Sequence, residues 1–501
     1  MNEYKKWLMY LASLSFATMI SRILGFIREL VFAMMFGASA LFDGYITASR
    51  IPSMLRRLFA EGALTQAFVP VMIQVREKQP AESLRQFQNA MLGILLAVTL
   101  LIAVLFAMFP KVAISIYAFG FAEDDPRIEI AAGLLPILAF FLPLISAISF
   151  YAALLNSHRH FFLGGLLPAI GNIVLIAASL QVSSVDTGIV TLSWALIVGA
   201  VIQLVLVSFQ AWRLFGGAWP TLRFYHPALR QVFKMLLVGI FALSAVQVSL
   251  FIDGNLASYL PAGSLSWLYY AERLIYLPLG TVGVSLASVS LPLLSEAIAR
   301  KDNGEIQKQL HRSVHMVFLL GTPAAIGLFF LAEPIVSVLF ERGAFTKYDV
   351  AMSAYALRYF ALGLPFMMMI KLWVSVAYSY GKVKATVWAA FISIAVNVVI
   401  VVITMPYLAH GSIGLAVSLS AFLQSVYLYA ALKKTVGIPL LDLKLFLNLI
   451  APVSILLLTL WCCLMVYHNN VFLAWVWLTG TIFVSITLYF ITYFYSAQPR
   501  Y

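Results

Sequence analysis

Fourteen stretches, each apolar and long enough to cross a bilayer as a helix, follow one another along this chain. They lie at 7–35, 41–73, 88–109, 129–156, 162–181, 190–212, 232–256, 264–295, 313–332, 350–379, 386–405, 412–431, 445–467 and 471–495. A hydrocarbon core about 30 Å thick takes roughly 20 helical residues to span. Turn signals separate the stretches, among them Phe36-Gly37-Ala38-Ser39, Pro261-Ala262-Gly263 and the polar run Arg300-Lys301-Asp302-Asn303-Gly304. The pattern predicts an all-α polytopic membrane protein of about 14 transmembrane helices. Only 10% of the residues are charged and 62% are apolar, whereas a soluble domain carries about a quarter charged residues. Such a composition needs lipid as its solvent. The start, Met1 to Lys6, runs into an apolar segment without a small-residue cleavage site, so no cleavable leader is expected. Cys462 and Cys463 are adjacent in an apolar run without metal-ligand spacing, and both read as packing residues.

A net charge of +12 raises the question of a nucleic-acid partner, and the distribution of that charge answers it. With the N-terminus inside, 4 of the 32 Lys and Arg fall on the outer side: Lys111, Arg127, Arg342 and Lys347. Eight lie inside spans (Arg22, Arg28, Arg50, Arg56, Arg57, Arg273, Arg358 and Lys371), and the other 20 fall on the cytoplasmic side. This is the positive-inside rule. With an even number of spans it predicts a multi-pass membrane protein with both termini cytoplasmic, and no nucleic acid.

The chain also matches itself at a nearly constant offset. Arg50 pairs with Arg273 at 223, and Pro70 with Pro292, Ser115 with Ser337 and Pro143 with Pro365 at 222; Asn172 and Asn397 follow at 225. The offset spans six helices, and an even number preserves orientation, so the two copies are expected to be related by an axis along the membrane normal. The expected organisation is an N-terminal six-helix lobe over 1–220, a C-terminal six-helix lobe over 221–435, and two further helices over 436–501.

Charges inside the spans are costly, roughly 2.5–3.5 kcal/mol for a cation at the centre of a lone helix. The densest group is in the first two spans. The first carries Ser21-Arg22 and Arg28-Glu29, and the second carries Asp43 near its outer start, then Arg50, Arg56, Arg57 and Glu61. The eighth span carries Glu272-Arg273. Arginine's planar fork binds phosphate oxygens bidentately, so Arg28, Arg56 and Arg273 in one cavity would suit a pyrophosphate. The competing account is inter-helix pairing with Asp43, Glu29, Glu61 and Glu272, and for Arg57 with Glu61 at i, i+4 both readings stand. Arg358 and Lys371 lie about 20 Å apart along one helix and can snorkel to opposite interfaces. Asp253 is either an interfacial cap or, with Asn397, a ligand for a coupling cation. His158-Arg159-His160 reads as a solvated turn. There is no P-loop, so ATP hydrolysis is not expected to power transport, and no nucleophile–base arrangement marks an enzyme.

The runs Ser21-Arg22-Ile23-Leu24-Gly25-Phe26-Ile27-Arg28 and Leu55-Arg56-Arg57-Leu58-Phe59-Ala60-Glu61-Gly62-Ala63-Leu64-Thr65-Gln66-Ala67-Phe68-Val69-Pro70 closely resemble the MurJ (MviN) lipid II flippase family of the MOP exporter superfamily. Ser266-Trp267-Leu268-Tyr269-Tyr270-Ala271-Glu272-Arg273-Leu274 resembles its helix-eight motif, and the likeness covers nearly the whole chain. The resemblance implies a MATE-like fold of two six-helix lobes, with the last two helices shaping a groove for a prenyl tail. It implies lipid II as substrate, with membrane lipids and cell-wall synthesis proteins as further partners and no cofactor. Motif match carries functional roles onto Arg22, Arg28, Asp43, Arg56, Arg57, Glu61 and Arg273, with Ser21 and Glu29 flanking them. Two positions depart from the pattern: Glu272 stands where Asp is common, and Tyr276 where many relatives carry an acid. Some members are implied to hold sodium among helices seven, eleven and twelve, but Val401, one turn past Asn397, has no side-chain oxygen. Sodium and membrane potential both stay open as energy sources. The expected mechanism is alternating access, moving the peptidoglycan precursor from the inner to the outer leaflet. An O-antigen-type flippase would also want cationic cavity residues; a multidrug exporter should line its cavity with acids; a non-transporting scaffold would tolerate loss of Arg28 and Arg273.

Overall fold

A computed structural model describes residues 3–59, 63–182, 184–223, 225–436, 443–465 and 471–497. The described residues form helices and turns without a strand. In the first part of the chain the helices are α1 (Glu3–Phe36), α2 (Ala40–Phe59), α3 (Ala63–Lys78), α4 (Ala81–Met108), α5 (Pro110–Tyr117), α6 (Pro126–Leu138), α7 (Phe141–Ser157), α8 (Phe162–Leu180), α9 (Val185–Phe215) and α10 (Pro227–Ala257). Then follow α11 (Ser264–Pro278), a π turn (Leu279–Gly283), α12 (Val284–Ala299), α13 (Asn303–Phe330), α14 (Ala332–Phe340), α15 (Lys347–Ser379), α16 (Val383–Leu408), α17 (Gly411–Val436), α18 (Leu443–Met465) and α19 (Val471–Ala497).

Among the described residues, every predicted stretch is occupied by a helix or by consecutive helical segments. Among the described residues, ten helical segments are long and apolar enough to cross a membrane, and the pair α6–α7, bent by 40°, makes an eleventh. Those outside that set include the carriers of charge: α1 with Arg22, Arg28 and Glu29, and α2 with Asp43, Arg50, Arg56 and Arg57. Local chemistry sets the ends. Pro126 and Pro227 open helices where a missing N–H costs nothing, and Asp125, Asp302 and Thr346 cap N-termini with side-chain oxygens. Gly216, at φ 77°, closes α9 in the left-handed conformation.

The chain divides into two compact units, Met1–Ser266 with Arg342–Phe345, and Trp267–Glu341 with Thr346–Tyr501. In the first, α7 packs on α9, α4 and α3, and α8 packs on α9; in the second, α15 packs on α17, α13 and α12, and α16 on α17. The two units thus repeat one pattern of neighbours. The short helices repeat as well: Pro110 of α5 and Ala332 of α14 begin 222 residues apart. The repeat expected from sequence would have α10 open the second copy, while by contact α10 packs on α2 and α3 of the first unit.

The first unit's core is built from Phe68, Met72, Phe87, Phe150 and Leu154 on α3, α4 and α7. In the second unit α15 is the most enclosed span, with Leu364, Met368 and Trp373 sealed inside. Leu101, Val205, Val402 and Ile403 are each about 60% exposed. Large apolar side chains in mid-helix, turned outward in number, mean that the outside of this bundle is hydrocarbon. The chain is a multi-pass membrane protein.

Candidate functional site

The charged residues of α1 are held against α8. Arg28 is three-quarters enclosed; its Nη1 donates to Asn172 Oδ1 at 2.9 Å, its Nη2 pairs with Glu29, and its guanidinium carbon lies 5.5 Å from the Phe32 ring centre. Glu29 is buried and gains a charge partner there. Asn172 also donates through Nδ2 to the Ser21 carbonyl at 3.2 Å. Gly25 permits this approach, because a Cβ there would stand 3.3 Å from Asn172 Nδ2. One amide on α8 therefore fixes both the rotamer of Arg28 and the backbone beside Arg22. Ser21 is half-buried and Arg22 is exposed.

On α2, Arg50 and Arg56 are half-buried and Arg57 is exposed. Glu61, the expected partner of Arg57, lies outside the described residues. In the second unit Arg273 is half-buried on α11 with its guanidinium carbon 4.5 Å from the ring centre of Tyr269, one turn back. A desolvated cation over an aromatic face is stabilised by up to about 2 kcal/mol. Glu272 beside it is half-buried and Tyr276 is exposed. α11 is anchored in this unit by Trp267, whose indole N–H donates to Asp349 Oδ1 at 2.9 Å. Five residues past Arg273, Pro278 gives way to the π turn, and Gly283 lets α15 approach at Met368.

Asp43 occupies a different setting, wholly enclosed at the start of α2. Its Oδ2 accepts from the Gly263 N–H at 2.7 Å; its Oδ1 accepts from the Ser266 N–H at 2.8 Å and the Ser266 hydroxyl at 2.5 Å. The carboxylate therefore sits at the positive N-terminal end of α11, as anions do at helix starts. Arg127, itself buried, lies 3.6 Å away and also holds Asp125 at 2.6 Å and the Leu260 carbonyl at 3.0 Å. Chain position made Arg127 an outer-loop charge; the structure makes it the hub of a buried network. Asp125, outside the spans, is pushed up by partial burial, but the hydrogen bonds and charge of Arg127 outweigh this and hold its pKa below the usual value.

Arg358 is paired with Glu333 of α14 at 3.5 Å, and Lys371 is exposed. Asp253 is half-buried on α10 in the first unit; Asn397 is buried on α16 in the second, its Oδ1 without a hydrogen-bond partner among the described residues. Val401 beside it is fully enclosed. In the second unit α13, α14, α18, α19 and the π turn enclose an apolar groove of about 340 Å³, walled by Leu320, Pro323, Ile335, Leu456, Ile482 and Tyr489. Asn172 and Arg127 were not singled out as site residues from sequence. The available signals were an amide in an otherwise apolar helix and an Asp-Pro-Arg helix start.

Residues 32–496 match the family described as Lipid II flippase MurJ. The Lipid II flippase MurJ of Burkholderia cenocepacia is 32% identical over 438 residues, 85% of this chain and 83% of that protein. A probable lipid II flippase MurJ from Buchnera aphidicola is 32% identical over 419 residues, 83% of this chain and 82% of its own length. A solved structure of a lipid II flippase MurJ in an inward closed conformation superposes with a TM-score of 0.81 at 26% identity, covering 96% of this chain and 97% of that one. An inward-facing multidrug resistance MATE transporter of the MOP superfamily shares the fold, with a TM-score of 0.70 at 12% identity over 85% of this chain and 98% of that one. The chain belongs to the lipid II flippase MurJ family.

Proposed function

We propose that this protein flips lipid II, the undecaprenyl-pyrophosphate-linked peptidoglycan precursor, from the inner to the outer leaflet of the bacterial cytoplasmic membrane by alternating access. The observation that carries the reading is family membership over nearly the whole chain, joined to guanidinium groups that apolar helices hold ready for an anion. Arg28 and Arg273 are each pre-oriented by a neighbour, Asn172 and Tyr269, so little rotamer entropy remains to be lost when phosphate oxygens arrive. Arg22, Arg56 and Arg57 complete the substrate-binding set, and Glu29, Glu61, Glu272 and Ser21 balance or position it. Asp43, which the motif sets among the substrate-binding residues, has both carboxylate oxygens taken up by the start of α11, which favours a part in gating over direct substrate contact.

The groove walled by α13, α18 and α19 supports a path for the prenyl tail that keeps it out of water. The basic ends of the spans face the cytoplasm, with both chain termini on that side. The copies of the duplication, 1–220 and 221–435, are the rocking halves, and helices of 436–501 serve the tail. Asn397 Oδ1, a spare buried oxygen, is the group to which a sodium ion would be added if a cation gradient drives the cycle; Asp253 is its candidate companion. Membrane potential offers the alternative, worth about 2.3 kcal/mol per charge per 100 mV.

The test is replacement of a bacterium's essential lipid II flippase by this chain and by its Arg28→Ala, Arg56→Ala and Arg273→Ala variants, with outer-leaflet lipid II assayed. Rescue by the parent chain and loss in stably expressed variants is expected. Correct insertion without rescue would assign the chain to another lipid-linked saccharide. Rescue by all variants would remove the arginines from the mechanism.

A further inference from the structure

Where the first copy of the duplication gives way to the second, the chain is tied down rather than loose. Gly216 and Gly217, at φ 77° and 67°, turn the backbone back from the end of α9. The Tyr151 hydroxyl donates to the Ala218 carbonyl at 2.7 Å, and the Trp219 N–H donates to Asn89 Oδ1 at 2.8 Å. The Thr221 carbonyl lies so close to Gly93 of α4 that a Cβ there would come within 2.0 Å. This fixed segment closes one side of a pocket of about 370 Å³ whose other walls are Tyr151 of α7 and Val205, Phe209 and Trp212 of α9.

Two properties of the pocket point to one class of ligand. First, its rim is aromatic and turned outward: Phe209, Trp212 and Trp219 are all more than half exposed. It continues along α9 into the exposed face of Val198, Ile202 and Val205, which is where a hydrocarbon chain lies. Second, the end of the spans where it opens carries uncompensated positive charge. Arg85 reaches to within 3.1 Å of where a Gly216 Cβ would stand, Arg213 follows Trp212 on α9, and Arg223 is exposed on the segment itself. Among the described residues none of these three forms an ion pair with a carboxylate. An apolar slot with tryptophans at its mouth and guanidinium groups beyond them is complementary to an amphiphile with an anionic head.

We propose that this pocket binds an anionic phospholipid of the surrounding bilayer, one acyl chain against Val205, Phe209 and Trp212 and the phosphate at Arg85 and Arg213. The lining of the pocket includes none of the arginines of α1, α2 and α11. Its ligand holds the segment joining the two copies, so occupancy bears on how freely they move.

The experiment is native mass spectrometry of the delipidated full chain titrated with phosphatidylglycerol, with phosphatidylcholine of the same acyl chains, and with undecaprenyl phosphate. The parent chain is expected to prefer phosphatidylglycerol. Arg85→Gln with Arg213→Gln should weaken the tightest phosphatidylglycerol site about 30-fold, since each surface charge near an anionic headgroup is worth about fivefold, and leave phosphatidylcholine unchanged. Trp219→Ala, which removes a wall and no charge, should weaken both lipids. If the double variant fails to fold, each single variant should show about a fivefold loss for phosphatidylglycerol alone. Equal retention of the two phospholipids by the parent chain, an unchanged phosphatidylglycerol affinity in the arginine variants, or displacement of phosphatidylglycerol by equimolar undecaprenyl phosphate would overturn the proposal.

Discussion

Replacing Asp43 by asparagine should loosen the start of α11 without disturbing the rest of the first unit. The amide keeps one acceptor oxygen but replaces the other with a donor, so either the Gly263 or the Ser266 N–H, now bonded at 2.7 and 2.8 Å, loses its acceptor. A buried donor left without a partner costs about 1–3 kcal/mol. The charge is lost as well. Removing one member of a buried ion pair costs about 3–5 kcal/mol when the other is stranded. Arg127 is not stranded here, because Asp125 still holds it at 2.6 Å. The total should therefore fall near 3 kcal/mol, toward the lower end of that range. Hydrogen exchange of the full chain in detergent reads this directly. Amides of residues 263–266 should exchange roughly 100-fold faster in the variant, at about 1.4 kcal/mol per tenfold, while those of α7 keep their rate. Combining Asp43→Asn with Ser266→Ala should cost less than the sum of the two by at least about 1 kcal/mol. Exchange at 263–266 within threefold of the parent would refute the account of Asp43 as the acceptor for that helix start.

Four further outcomes are expected. Arg28→Lys keeps the charge but not the fork that meets Asn172 and Glu29 together; outer-leaflet lipid II should fall about tenfold or more at unchanged expression, an effect of 1.4 kcal/mol or above. Tyr269→Leu removes the ring under Arg273 and should reduce the same signal severalfold, as expected for a cation–π contact of about 1 kcal/mol. Gly343→Ala places a Cβ 2.2 Å from the Met34 carbonyl at a φ of 58°, and should cost about 1–3 kcal/mol in thermal unfolding. His410 stands in the turn between α16 and α17, its ring 5.1 Å from Trp267 and its Nε2 2.9 Å from the Met352 carbonyl. Burial pushes its pKa down, against the pull of that carbonyl. A depressed imidazole pKa adds stability above its ordinary value of 6.5, and that stability is lost as pH falls through the folded value. The parent chain should therefore melt lower at pH 5 than at pH 7, and His410→Gln should flatten the difference.

The spans were legible because hydropathy is a one-dimensional property and lipid imposes it along the whole chain. Backbone geometry within a span was not. Residues 129–156 read as one stretch, yet two helices meet there at 40°, and nothing in the apolarity of Ala139 and Phe140 marks the bend. Pro278 and Gly280 mark a break in the ladder at the π turn without specifying its geometry. The eight residues of α5 and nine of α14 are too few to show a period of their own. At the candidate site the cations stood out because charge is expensive in hydrocarbon, but their partners did not: Asn172 is 144 residues from Arg28, and no spacing rule reaches that far. Arg127 shows the limit of counting charges by loop, since a residue at the end of a span can be exposed or, as here, wholly enclosed.

The segment Arg342–Phe345 belongs to the first unit although the 75 residues Trp267–Glu341 of the second precede it in the chain. Its Ala344 N–H donates to the Met34 carbonyl at 2.8 Å, next to Gly37 at the end of α1. During synthesis, at about 5–20 residues per second, the first unit therefore waits roughly 4–16 seconds after Ser266 is made before that end of α1 can be closed. Folding of the first unit therefore cannot finish before part of the second has been made. The ribosome must deliver more than two-thirds of the chain before the first unit is complete, and a truncation ending short of Ala344 leaves the Met34 carbonyl without its native donor.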